Sequence, residues 1–118
     1  MVMGPFLEAN RATVVAYLTG IIRAKQFIKN LDTKDEVIEI MKGAGYEFPQ
    51  EFIDTYEAGI AVLSADCGFE VEQMEIIWEE LGATGEVAAD IDWRQAVNLE
   101  PLWEAQEANG LPRRPASL

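Results

Sequence analysis

A chain of 118 residues and 13.1 kDa has room for one domain and one modest core, and its 49% hydrophobic content excludes a disordered chain. A formal charge of −12 excludes the basic face that a phosphate backbone or an anionic membrane needs. The absence of histidine removes the commonest general base and transition-metal ligand, and a single cysteine, Cys67, excludes an internal disulfide.

The opening MVMGPFLEANRATVV has neither a charged n-region nor an apolar h-region, so no signal peptide is expected and the chain as it stands reads as cytoplasmic. No run approaches the ~20 apolar residues of a spanning helix, so no membrane insertion is expected. Asn10 predicts an N-cap for RATVVAYLTGIIRAKQFIKN, in which Val14, Leu18, Ile21, Ile22 and Ile28 fall at helical spacing. Val15, Tyr17, Ala24, Phe27 and Leu31 widen that stripe beyond one face, which predicts burial on two sides. Gly20 weakens this helix by about 1 kcal/mol against alanine, and its expected use is the close approach of another helix.

In LDTKDEVIEIMKGAGYEFP, Thr33 with Glu36 reads as a capping box, Val37, Ile38, Ile40 and Met41 as the apolar side, and Gly43 and Gly45 as the stop. Pro49 opens a third helix, PQEFIDTYEAGIAVLSADCG, with Phe52, Ile53, Tyr56, Ile60 and Leu63 as its stripe and Gly68 as its end. EVEQMEIIWEELG predicts a fourth, with Val71, Met74, Ile77, Trp78 and Leu81 facing the core and Glu72, Glu75 and Glu79 facing water. Residues 83–98 show no clean period and are expected to form an irregular crossing. LEPLWEAQEANG predicts a short last helix, with Pro101 near its first turn and Gly110 as its stop. Pro112 then forbids continuation, and residues 113–118 are expected to form a flexible tail. The expected fold class is all-α, about five helices, as a single helical domain over 1–118.

Sites of chemistry are tested and set aside. A di-metal carboxylate site needs Glu-x-x-His pairs, which are lacking. Asp90-Ile91-Asp92 lacks the remaining oxygens and central glycine of a calcium loop. Cys67 has no histidine base. The glycines at 43 and 45 and at 82 and 85 lack the Lys-Ser/Thr of a phosphate loop. Trp78, Trp93 and Trp103 offer a cation cage only if they converge; their spacing favours packing. Neither catalysis, a metal site nor a cofactor is expected.

The order of these signals, from "FIKNLDTKDEVIEIM" to "DWRQAVNLEPLWEAQEANGLPRRP", resembles the C-terminal helical region of a periplasmic substrate-binding protein of an ABC importer. The branch it resembles is the nitrate/sulfonate/taurine type, which includes binders of thiamine-pyrimidine precursors. The resemblance implies a periplasmic or lipid-anchored ancestry and two α/β lobes with a ligand cleft between them. No lobe, cleft or export signal is represented in these 118 residues, so no ligand-binding residue carries over. It implies further that Trp93, Leu99, Leu102 and Trp103 suit packing against a body outside this sequence; together with Ile22 of the widely apolar first helix, Leu99, Leu102 and Trp103 are the candidate self-association surface. Two readings follow. One is a stand-alone fragment or descendant of an importer binding protein, with solute capture lost or dependent on another chain. The other is a small acidic helical module that forms a homodimer or binds a protein, a small apolar ligand or a cationic ligand. Residues 1–48 carry six basic and six acidic residues and residues 49–118 three and fifteen, so a homodimer contact is expected through the first helix or the C-terminal segment.

Overall fold

The structure, a computed structural model, describes residues 4–88 and 91–118. The fold is all-α, with no strand among the described residues. Among the described residues six α-helices follow one another: α1 (Gly4–Lys29), α2 (Lys34–Gly43), α3 (Gln50–Asp54), α4 (Tyr56–Ala61), α5 (Val71–Ala83) and α6 (Glu100–Ala108). Short 3₁₀ turns at Leu31–Thr33 and Trp93–Ala96 punctuate them.

Asn10 is a break within α1 rather than its start. Its backbone leaves helical space at φ −131°, ψ 30°, and its side-chain amide donates to the Phe6 carbonyl one turn back. The Thr33–Glu36 capping box does not form either. The Thr33 hydroxyl donates to the Phe27 and Asn30 carbonyls, while the Asn30 side chain accepts from the Asp32 N–H. The long third helix expected over 49–68 divides at Thr55 and ends at Ala61. Thr55 bonds its hydroxyl to the Glu51 carbonyl, the back-bonding that weakens a helix interior. At the other end the expected stops hold: Gly45 and Gly110 sit at φ 88° and 68°, where a side chain is disfavoured.

The centre of the fold is the pairing of α1 with α6. Arg11 bonds Glu104 and Glu100, Arg23 bonds the Asn109 side-chain oxygen, and the Asn109 amide donates to the Thr19 carbonyl. Ile22, three turns beyond Arg11 and therefore on the same face, is 0% exposed, and Leu99 and Ala105 are buried as well. Leu102 and Trp103 are half-buried, and the Trp103 indole N–H donates to the Pro115 carbonyl at 2.7 Å. This corrects the expected self-association surface. Ile22 and Leu99 are spent inside the chain, because α1 itself supplies the surface that the C-terminal helix needs. The expected flexible tail is corrected too, since Pro115 is buried and Arg114 is bonded to five other residues.

Away from that pair the body is open. None of the residues of α5 is buried, although its period placed Val71, Met74, Ile77, Trp78 and Leu81 in the core; Ile76 is 58% and Ile77 47% exposed. Two polar links tie the helix to the segment that follows it, Arg94 to Glu75 and the Trp78 indole N–H to the Ile91 carbonyl. The radius of gyration is 17.3 Å, against about 13.5 Å for a compact domain of this length. The accessible surface is 8271 Å², against roughly 6,400 Å² for a compact monomer of this mass.

Candidate functional site

Beyond the α1–α6 pair, the C-terminal end of α1 meets α2, α3 and α4 around an open groove of about 320 Å³. Its walls come from the apolar stripes that the sequence gives to successive short helices: Val37, Ile38 and Met41 of α2, Phe52 of α3, and Tyr56 and Ile60 of α4. Phe48 closes one end, with its ring centroid 4.7 Å from that of Phe52. Two hydroxyls reach the walls, and both are committed. Tyr56 donates to the Ile28 carbonyl at 2.8 Å, and Thr55 to the Glu51 carbonyl at 2.8 Å. Burial pushes the Tyr56 phenol above its ordinary pKa, so it stays a neutral donor at physiological pH. Lys34 lies over the Tyr56 ring at 5.7 Å. The groove therefore presents apolar surface and no convergent set of polar groups.

The helices that supply its α3–α4 wall carry acidic residues. Glu51 and Asp54 of α3 and Glu57 of α4 are exposed, and none forms a salt bridge among the described residues. No lysine or arginine lies between Lys42 and Arg94 in the sequence, so no neighbour along the chain neutralises them.

A second constellation, centred on Arg114, has a structural character. Its guanidinium donates to both carboxylate oxygens of Asp66 at 2.6 Å, to Glu70, to the Ser64 hydroxyl and to the Gly68 carbonyl. The hydrogen bonds from Arg114, together with those from Ser64 and the Gly68 N–H, hold the Asp66 carboxyl well below the usual carboxylate range against the opposing effect of burial. The same pairing raises the Arg114 guanidinium. Arg114 was hidden to sequence reasoning inside a Pro/Arg tail. Gly68, expected to end a helix, instead makes room for it: a Cβ there would lie 2.5 Å from the Arg114 carbonyl oxygen.

Three expected features take other places. Trp93 carries the Arg94 guanidinium 4.8 Å from its ring centroid and Trp103 that of Arg113 at 5.1 Å, so both tryptophans meet cations of this chain. Cys67 is half-buried at φ 58° in the loop that Arg114 holds. Asp90 of the tested calcium segment lies outside the described residues. Among the described residues no three Asp, Glu or Cys side chains converge as a metal-holding group, and no helix is long and apolar enough to cross a membrane.

No family model, no curated protein and no solved structure matches this chain.

Proposed function

We propose that this chain is a small acidic helical binding and assembly module, completed by another polypeptide surface and acting as a homodimer. The observation that carries this is its surface, which exceeds that of a compact monomer by about 1,900 Å². That excess is what each protomer gives up in a large obligate interface. The favoured contact is the face of α1 turned away from α6. Residues 12–22 carry no charge in a chain of −12, Tyr17 stands 67% exposed, and a Cβ at Gly20 would meet nothing within 4 Å. Gly20 therefore keeps its room for a helix from outside. Such a contact keeps the acidic residues beyond position 48 facing outward.

The proposed origin is the C-terminal helical region of an ABC importer substrate-binding protein. An open apolar side is what such a region presents when the lobes that cover it belong to another chain. Solute capture is then absent from this chain alone.

Light scattering tests the assembly reading. The expected mass at tens of micromolar is about 26 kDa, twice that of one chain, and Tyr17→Glu halves it while the helical spectrum is kept. A monomer at that concentration, or a dimer indifferent to Tyr17→Glu, overturns the reading. Thermal shift tests the origin: taurine, alkylsulfonates, nitrate and pyrimidine precursors are expected to leave the midpoint unmoved. A ligand at a hundred times its dissociation constant adds about 2.7 kcal/mol, so a dose-dependent rise would return solute capture to this chain.

A further inference from the structure

We propose that the groove between α1, α2, α3 and α4 binds a medium-chain fatty acid, with the alkyl chain along its apolar walls and the carboxylate at Lys34 and Lys29. This rests on the reading of the chain as a binding module and names the ligand of its second surface. The contact between copies, on residues 12–22 of α1, is separate from it.

The walls select the alkyl chain. The groove holds about 320 Å³, at the lower end of the range for small-molecule sites. Val37, Ile38, Met41, Phe52 and Ile60 give it aliphatic and aromatic surface, which rewards burial of methylenes rather than of polar groups. Hydrogen-bonding capacity selects the head. The Tyr56 and Thr55 hydroxyls are spent on the Ile28 and Glu51 carbonyls, and the Leu63 carbonyl accepts from Lys29 at 2.9 Å. What remains is cationic donors. An ammonium group offers several N–H bonds, of which Lys29 spends one on Leu63. Lys34 lies 5.7 Å from the Tyr56 ring centroid, and neither lysine forms a salt bridge among the described residues. Tyr56 links the two positions, since Lys34 stands over its ring and its hydroxyl reaches Ile28, the neighbour of Lys29 in the chain. The fitting ligand therefore brings a negatively charged acceptor at the end of an apolar chain. An alkylamine meets two cations instead. Residues 1–48 supply both lysines and carry six basic against six acidic residues, so the charge of −12 falls on the other part of the chain.

Calorimetric titration with sodium decanoate, kept below its micellar concentration, tests the proposal. One-to-one binding is expected, with affinity rising about fourfold per methylene from hexanoate to decanoate. Short alkylsulfonates bury too few methylenes to hold, so the solute test above and this one fail separately. Decanol is expected to bind about tenfold more weakly than decanoate, and decylamine not at all. Lys34→Gln is expected to weaken decanoate about tenfold and to leave decanol unchanged, a split that a merely structural lysine does not give. Gly59 lines the groove within α4, and a Cβ there would meet nothing within 4 Å. Gly59→Leu therefore takes up groove space and is expected to weaken decanoate and decanol alike, about tenfold or more. Circular dichroism checks that this variant stays folded, and Lys34→Gln carries the test without it. If Gly59→Leu leaves decanoate affinity unchanged, or if several decanoates bind per chain, the ligand sits elsewhere and the proposal fails. Equal affinity for decanoate, decanol and decylamine would show a slot indifferent to the head and sinks it as well. If the wild-type assembly dissociates as decanoate binds and Gly59→Leu also splits it, the groove belongs to a second copy and the proposal is overturned. A monomeric wild type that binds decanoate with these sensitivities sinks the homodimer alone and keeps the site.

Discussion

The side chain of Gln106 is bonded to the main chain of Arg114 at both ends. Its oxygen accepts from the Arg114 N–H at 3.0 Å and its amide donates to the Arg114 carbonyl at 3.2 Å, with a further bond to the Asp66 carbonyl at 3.1 Å. Gln106 is 0% exposed, and every buried polar side-chain atom among the described residues has a partner. Three separated stretches thus meet at one amide. Gln106→Leu keeps the volume and orphans three backbone groups, each worth about 1–3 kcal/mol when left unpaired. The expected loss is about 3 kcal/mol, read as a fall of about 10 °C in thermal midpoint by circular dichroism. An unchanged midpoint would mean that water replaces the amide at no cost.

Asp66 makes stability depend on acid. Its carboxyl titrates lower in the folded chain than in the unfolded one, first because of the Arg114 bonds, so the folded state resists protonation. That contribution is fully present above the unfolded carboxylate value of about 4 and is lost as pH falls below it. Chemical denaturation at stepped pH is expected to show a decline below about pH 4 that Asp66→Asn flattens. A parallel decline in Asp66→Asn would place the acid sensitivity in other carboxylates.

Two glycines should respond in opposite directions to one methyl group. Gly68→Ala sets a Cβ against the Arg114 backbone and is expected to cost about 2 kcal/mol. Gly20→Ala meets open space within the chain and is expected to gain about 1 kcal/mol in helix propensity. Denaturant midpoints measured at high dilution, where any association between copies is absent, check both. A destabilising Gly20→Ala there would show that another part of the same chain needs that space.

Ile22→Glu separates an interior position from an interface position. A carboxylate at a fully buried site has no partner on the α1–α6 seam, and such a change costs roughly 4 kcal/mol or more. The expected outcome is loss of helical signal. A folded monomer with full helicity would return Ile22 to the contact between copies.

The helices were legible where local chemistry decides them. Pro101 and Gly110 bracket α6, and Gly45 ends the turn after α2, because caps act within one turn. The division at Thr55 was not legible, since a threonine hydroxyl does not announce whether it will turn back on its own helix. The period of α5 named its apolar residues correctly. Periodicity says which face seeks cover and nothing about whether cover exists, so a helix with no buried residue reads the same as a core helix. The Arg114 hub escaped for a different reason. It joins positions 48 residues apart, a separation at which a basic residue in a short tail carries no pattern. The groove was visible only as three separate stripes, and their convergence depends on the turns at Leu31–Thr33 and Thr55.

The stretch without lysine or arginine gives this protein an unusual enzymatic map. Trypsin meets no site from Gly43 until Arg94, so α3, α4, the loop held by Arg114 and α5 leave the chain as one peptide. Lysine acylation and amine cross-linking likewise pass over the groove wall on the α3–α4 side. Carboxyl-directed labelling, by contrast, reads Glu51, Asp54 and Glu57 on that single peptide, so the footprint of a bound partner would be recorded by its acids alone.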